Sequence, residues 1–184
     1  MYQCTSQTQH LSIFHVDPVN GRWEKPPPGY LKLNVDGSFR DNQGTYGGVL
    51  RDEAGAWIWG FFGRCDDDNY SALQAELMAI KVGLQALKER GLIRVMVETD
   101  SSQAVNYIHN YPDECHPLLN LILDCKRLHT SLWSCSISHV SRIYNCTAHD
   151  LASLGHTVCN LEGFVWFDRP PENIVTTFLN DNIS

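Results

Sequence analysis

Tyr30-Leu-Lys-Leu-Asn-Val-Asp-Gly-Ser38 orders the rest of the chain around itself. Leu31, Leu33 and Val35 alternate with polar neighbours, the period of a strand with one buried face, and Asp36 stands at its C-terminal end. Upstream, Pro26-Pro-Pro-Gly29 is a stiff, extended punctuation, so the regular fold begins just after it. An acid at the end of a strand, followed by a glycine that lets another backbone come close, is a place where chemistry can be assembled.

Downstream, strands are expected around residues 47–51 and 56–63, joined by the hairpin composition Asp52-Glu-Ala-Gly55. From Ser71 the period changes. Leu73, Leu77, Ile80, Leu84 and Leu87 recur at three and four, Ser71 can cap, Gln74 completes a capping box, and Gly91 ends the helix. Arg94-Val-Met-Val-Glu-Thr-Asp100 is again a strand ending in an aspartate, followed by a short helix over 101–110 that Pro112 closes. A helix over 118–129, a weaker strand over 134–140 and a helix over about 147–155 complete the pattern, and the tail carries Pro170-Pro171. Three strands, then helix, strand, helix, helix, strand and helix make an α/β fold with a mixed sheet flanked by helices.

A chain of 184 residues with 43% hydrophobic content supports one sizeable core and one domain with modest tails. No apolar run approaches the roughly 18 residues needed to cross a bilayer, and residues 1–23 lack the basic-then-apolar pattern of a secretory leader. The expectation is a soluble, intracellular monomer, with nucleus and cytoplasm equally compatible. Seven scattered cysteines, an odd number, read as reduced structural thiols. Three Asn-x-Ser/Thr matches, at Asn69, Asn145 and Asn182, carry no weight in a protein outside the secretory pathway. The net charge of -7 argues against holding a polyanion by basic surface alone. Divalent cations between clustered acids and phosphate would offset it. Asp66, Asp67 and Asp68 read as a solvated loop.

Asp36 and Asp100 at strand ends, with Glu76 on the intervening apolar helix, can converge if the two strands are neighbours. An acid buried beside Leu77 and Met78 without a partner would be costly. Hard divalent cations require several carboxylate oxygens, and two ions about 4 Å apart can stabilise both the attacking water and the leaving oxygen of a phosphodiester.

Leu33-Asn-Val-Asp-Gly-Ser38, Gln74-Ala-Glu-Leu-Met-Ala79 and Glu98-Thr-Asp-Ser101, in that order, resemble the ribonuclease H superfamily. With Trp23-Glu-Lys-Pro-Pro-Pro-Gly29 before them and Trp166-Phe-Asp-Arg-Pro-Pro-Glu-Asn-Ile174 behind, the chain is most similar to plant ribonuclease H-like domains related to the reverse transcriptases of non-LTR retroelements. The resemblance sets a domain at 23–178, an N-terminal extension at 1–22 and a tail at 179–184. It implies a five-stranded mixed sheet ordered 3-2-1-4-5. It also implies a metal-dependent endonuclease that cuts the RNA strand of RNA–DNA hybrids by two-metal-ion hydrolysis with Mg2+, or with Mn2+.

Carried over position by position, the resemblance makes Asp36, Glu76 and Asp100 metal-binding carboxylates, and His139 in Ser138-His-Val-Ser-Arg142 a histidine that assists proton movement or product release. The family's fourth acid is the aspartate of Asn-x-x-Ala-Asp-x-Leu-Ala. Here Asn145-Cys-Thr-Ala-His-Asp-Leu-Ala152 puts His149 there and Asp150 one residue on, a rotation of about 100° on a helix. His149 and Asp150 are therefore both candidates, and activity is expected to be weakened, lost or shifted toward manganese. The connection Tyr111-Pro-Asp-Glu-Cys-His-Pro117 lacks the basic helix with which bacterial relatives grip the hybrid. Candidate substrate contacts are Gly37, Ser38, Asn42, Gln43, Ser71 and Arg142, with Arg40, Lys32 and the Lys126-Arg127 pair as further phosphate contacts.

Three other readings compete. A noncatalytic binding module on the same fold is favoured by His149 and the negative charge. A proofreading-type exonuclease would show Asp-x-Glu in the first strand, where this chain has Ser38. A zinc module from Cys115, His116, Cys125 and His129, or from His139, Cys146 and His149, lacks paired Cys-x-x-Cys spacing.

Overall fold

The computed structural model describes residues 22–65, 71–110, 112–158 and 163–182. Its elements are β1 (Leu31–Arg40), β2 (Gln43–Arg51), β3 (Trp57–Arg64), α1 (Ala72–Glu89), β4 (Val95–Thr99), α2 (Ser102–His109), α3 (Leu119–Ser131), β5 (Cys135–His139), a 3-10 turn (Arg142–Tyr144), α4 (Cys146–Leu154), β6 (Phe164–Phe167) and α5 (Glu172–Asn182). Cys4, Cys159 and Asp66 to Asp68 lie outside the described residues. Cys65, Cys115, Cys125, Cys135 and Cys146 are free thiols. Among the described residues, no helix is long and apolar enough to cross a membrane.

One mixed sheet runs β5-β4-β1-β2-β3-β6. The expected five-strand order is present within it, and a sixth strand adds antiparallel to β3 with Gly60 opposite Phe167. The expectation of five strands missed β6 because Phe164-Val-Trp-Phe167 is short, uniformly apolar and free of alternation. What makes it a strand is tertiary: Trp166 packs its ring 5.1 Å from Trp59 and 5.2 Å from Phe61.

The expected one-sided burial of the first strand also fails. Lys32 through Asp36 are all buried, so β1 is covered on both faces. Leu33 and Val35 enter the core that includes Leu77, Ile80 and Leu84 of α1. The polar residues are covered too, and partners far away in sequence make that possible. Trp23 Nε1 donates to Asn34 Oδ1 at 2.8 Å, Asn34 Nδ2 donates to Glu98 Oε2 at 3.0 Å, and Lys32 Nζ pairs with Glu98 Oε1 at 2.7 Å.

Two glycines set how closely helices approach the sheet. A Cβ on Gly37 would lie 2.2 Å from the Glu76 amide nitrogen of α1, and one on Gly47 would lie 2.4 Å from that of Ala152 in α4. Only glycine permits either contact, and both helices carry site residues. Ser71 caps α1 as expected, its hydroxyl accepting from the Gln74 N–H at 3.2 Å. The C-terminal stretch was expected to be a tail from residue 179, yet α5 runs on to Asn182. There Asp181 pairs at 2.6 Å with the fully buried Arg51, whose guanidinium lies 4.2 Å from the Trp23 ring centre and 5.2 Å from that of Phe178.

Candidate metal centre

β1 and β4 run parallel and their pairing ends with Val35 opposite Thr99, so the next residues, Asp36 and Asp100, lie side by side; Asp36 does not end its strand as expected, because β1 continues to Arg40 against β2. Glu76 reaches this point from α1 because Gly37 lets the helix lie against β1. One ligand oxygen from each of the three carboxylates lies within 4.8 Å of the others. Among the described residues, no other group of three or more His, Cys, Asp or Glu side chains converges in this way, and so the zinc groupings are not assembled.

Glu76 is aimed by two donors on the same oxygen: the Gly37 N–H at 3.1 Å and the Thr99 hydroxyl at 3.3 Å from Oε2. These bonds favour the charged form but do not win. Burial, then the charges of Asp36 and Asp100, push the Glu76 carboxyl up to about 9. Burial and Asp36 raise Asp100 to about 7, and Arg142 offsets part of that shift. Asp100 Oδ1 is buried without a hydrogen-bond partner. An oxygen-only donor set, short of positive charge and with an orphaned carboxylate oxygen, fits a hard divalent cation.

At the fourth position, His149 Nδ1 lies 2.8 Å from Asp36 Oδ2. That hydrogen bond raises the His149 pKa against the opposing effect of burial. The Arg142 guanidinium sits 3.2 Å from Nε2 and 3.3 Å from Nδ1 of the same ring. Asp150 does not reach the cluster. Its Oδ2 accepts from the Thr177 hydroxyl of α5 at 2.5 Å, on another side of α4, as the one-residue rotation requires.

His139 closes β5 opposite Thr99, one residue before Asp100. It also helps line a cavity of about 380 Å3 with Trp23, Lys32, Glu98 and Tyr144. That cavity lies beside the Lys32–Glu98 ion pair and is lined by none of the three clustered acids.

The other candidates divide. Arg142 is brought to the site. Gly37 faces Glu76, Ser71 caps α1, and Ser38 Oγ shares His156 Nε2 with Thr45 Oγ1, both at 3.0 Å. Asn42 and Gln43 lie at the β1–β2 turn, Asn42 exposed with a left-handed φ of 60°. Arg40 donates to Ser153, Lys126 to the carbonyls of Ile108 and Asn110, and Arg127 lies 3.5 Å from Asp124. Lys32 is buried in its pair with Glu98.

Sequence reasoning missed Thr99, Asn145 and His156. Thr99 was legible as a hydroxyl buried between two acids. Asn145, used only to align a motif, donates from Nδ2 to the Val35 carbonyl at 2.9 Å and so bolts the start of α4 to β1 just before Asp36. His156 has no comparable linear signal.

The model of the family described as reverse transcriptase-like matches residues 34–155. A protein of Arabidopsis thaliana named for ribonuclease H is 36% identical over 166 residues, covering 88% of this chain, which spans only 26% of that relative's length. RNase H1 from the halophilic archaeon Halobacterium salinarum superposes with a TM-score of 0.64 at 24% identity, over 70% of this chain and 98% of that one. LC11-RNase H1, solved in complex with RNA/DNA hybrid, gives 0.60 at 20% identity, over 67% and 94%. Prototype foamy virus protease-reverse transcriptase gives 0.59 at 17% identity, over 74% of this chain and 22% of its own. With the expected strand order and the three acids in place, the chain belongs to the reverse transcriptase-like family of ribonuclease H-like domains.

Proposed function

We propose that the chain is a metal-dependent endonuclease that cuts the RNA strand of RNA–DNA hybrids, acting as an intracellular monomer. The observation that carries this reading is the meeting of Asp36, Glu76 and Asp100 within 4.8 Å where the parallel pairing of β1 and β4 ends. Bound there, Mg2+ or Mn2+ would supply charge stabilisation for an attacking water and a phosphodiester. The protein's own part is positioning: Gly37 and Thr99 fix one Glu76 oxygen, and Asn145 fixes α4 beside Asp36. His139, at the end of β5, is the group that would assist proton movement or product release. The exposed β1–β2 turn with Asn42 and Gln43 offers polar contacts to sugar and phosphate, and Arg142 offers a cation to phosphate.

A second reading, a weakened or noncatalytic module that binds nucleic acid or a protein partner, is favoured by one observation. The two-ion scheme needs an oxygen donor at the fourth position, where an imidazole stands and Asp150 is turned to Thr177. Cleavage of end-labelled RNA–DNA hybrid in Mg2+ and in Mn2+ separates the two readings. Expected are cleavage favouring Mn2+, a gain in Mg2+ for His149→Asp and little change for Asp150→Ala. No cleavage by parent or variants in either metal would leave the binding module.

A further inference from the structure

Taking Asp36, Glu76 and Asp100 as a cation site, we propose that His149 and Arg142 form a built-in counter-cation that restricts this site to a single divalent ion. Asp36 Oδ2 is met by the His149 imidazole at 2.8 Å, and the imidazole is backed by the Arg142 guanidinium at 3.2 Å. A guanidinium is charged at every pH at which the protein is folded. Both groups are fixed by the backbone. The 3-10 turn carrying Arg142 is closed by the Asn145 N–H on the Arg142 carbonyl at 3.0 Å, and the Asn145 side chain ties the same corner to the Val35 carbonyl. Four residues on, the His149 N–H bonds the Asn145 carbonyl at 3.0 Å, so the imidazole stands one helical turn above that anchor, opposite Asp36.

A second divalent ion sharing Asp36 would need oxygen donors on this side. The nearest acid in sequence, Asp150, is committed to Thr177, and among the described residues no fourth carboxylate joins the three. Charge balance points the same way. Three carboxylates are neutralised by one divalent cation and one guanidinium, whereas two divalent cations beside the same guanidinium leave net positive charge in a largely buried site.

The test is a count of Mn2+ ions, with Mn2+ alone titrated into the metal-free chain and the unbound ion read by electron paramagnetic resonance. One ion per chain is expected for the parent and two for His149→Asp. Arg142→Gln should keep the count at one and tighten binding about three- to tenfold, the worth of a nearby like charge in a partly screened site, while Arg142→Lys stays within about twofold. Two ions on the parent would overturn the inference and leave the cation site standing. No bound ion would overturn both. One ion on a His149→Asp variant with parent-like circular dichroism, or unaltered affinity in Arg142→Gln, would also overturn the inference. If His149→Asp does not fold, the parent count and the Arg142→Gln affinity decide.

Discussion

Two groups of buried charge lie a few residues apart on the same strands and are built in opposite ways. Within the β1–β4 pair, Lys32, Asn34 and Glu98 satisfy one another, with the Lys32 ammonium also donating to the Glu24 carbonyl at 2.6 Å. Arg51 on β2 is paired through Nη2 with Asp181, which also accepts from the Thr147 hydroxyl at 2.5 Å, while Arg51 Nε and Nη1 are buried without a hydrogen-bond partner among the described residues. Two residues further along, Asp36 and Asp100 meet Glu76 in a cluster of three carboxyl groups, with His149 on Asp36 as the one ion-pair partner among the described residues. Opposite charges neutralise where they stand and hold the fold, whereas three carboxyl groups met by one imidazole and one guanidinium still call for positive charge from outside. On the proposed function, the contrast separates acids that serve structure from acids that serve chemistry.

Substitutions in the two regions should therefore fail in different ways. Asp36→Asn is isosteric and can still accept from His149, so it should keep the fold while lowering hybrid cleavage by about a thousandfold or more. Unchanged turnover would remove the division of labour. Asp181→Ala should do the reverse. It strands the Arg51 guanidinium in an apolar sandwich and should cost about 3–5 kcal/mol in urea unfolding, whereas Arg51→Met, which replaces the charge with apolar volume, should cost much less. Equal losses for the two would mean that the pair is not closed as described.

A smaller effect sharpens the contrast through pH. Glu76 is raised from its usual 4.5 to about 9, so without divalent ions the folded chain keeps a proton there that the unfolded chain releases above about 4.5. Stability should then fall as pH rises through that window, with Asp100 adding its share up to about 7. Glu76→Gln removes the larger part. The variant should be more stable than the parent at pH 8 by on the order of 1–3 kcal/mol and nearly equal to it at pH 4. A parent whose metal-free stability rises from pH 5 to pH 8 along with the variant's would contradict the proton held on Glu76 in the folded chain.

The acid cluster was legible in the sequence because each member sits at a position that local pattern defines. Asp36 and Asp100 end alternating apolar runs, and Glu76 interrupts an apolar helix. The paired region was not legible. Lys32 and Asn34 look like the wet face of a strand until Trp23 and Glu98 are brought beside them, and nothing in Glu172–Asn182 announces that Asp181 will meet a residue 130 positions earlier. β6 was lost for the same reason, as its apolar residues acquire strand character only against Trp59 and Phe61. Among the candidate substrate contacts, Gly37 and Ser38 each have an intramolecular partner that depends on helix placement, which a one-dimensional reading does not supply, whereas the Ser71 cap on Gln74 was legible.

The most direct test of the unpaired cluster as a cation site is the melting temperature at pH 8 with and without millimolar Mg2+, for the parent and for Asp36→Asn. A ligand that binds only the folded chain raises its melting point, so the parent should gain about 5 °C and the variant little or nothing. Equal shifts in both, or no shift in either, would contradict the assignment of Asp36, Glu76 and Asp100 to a divalent cation.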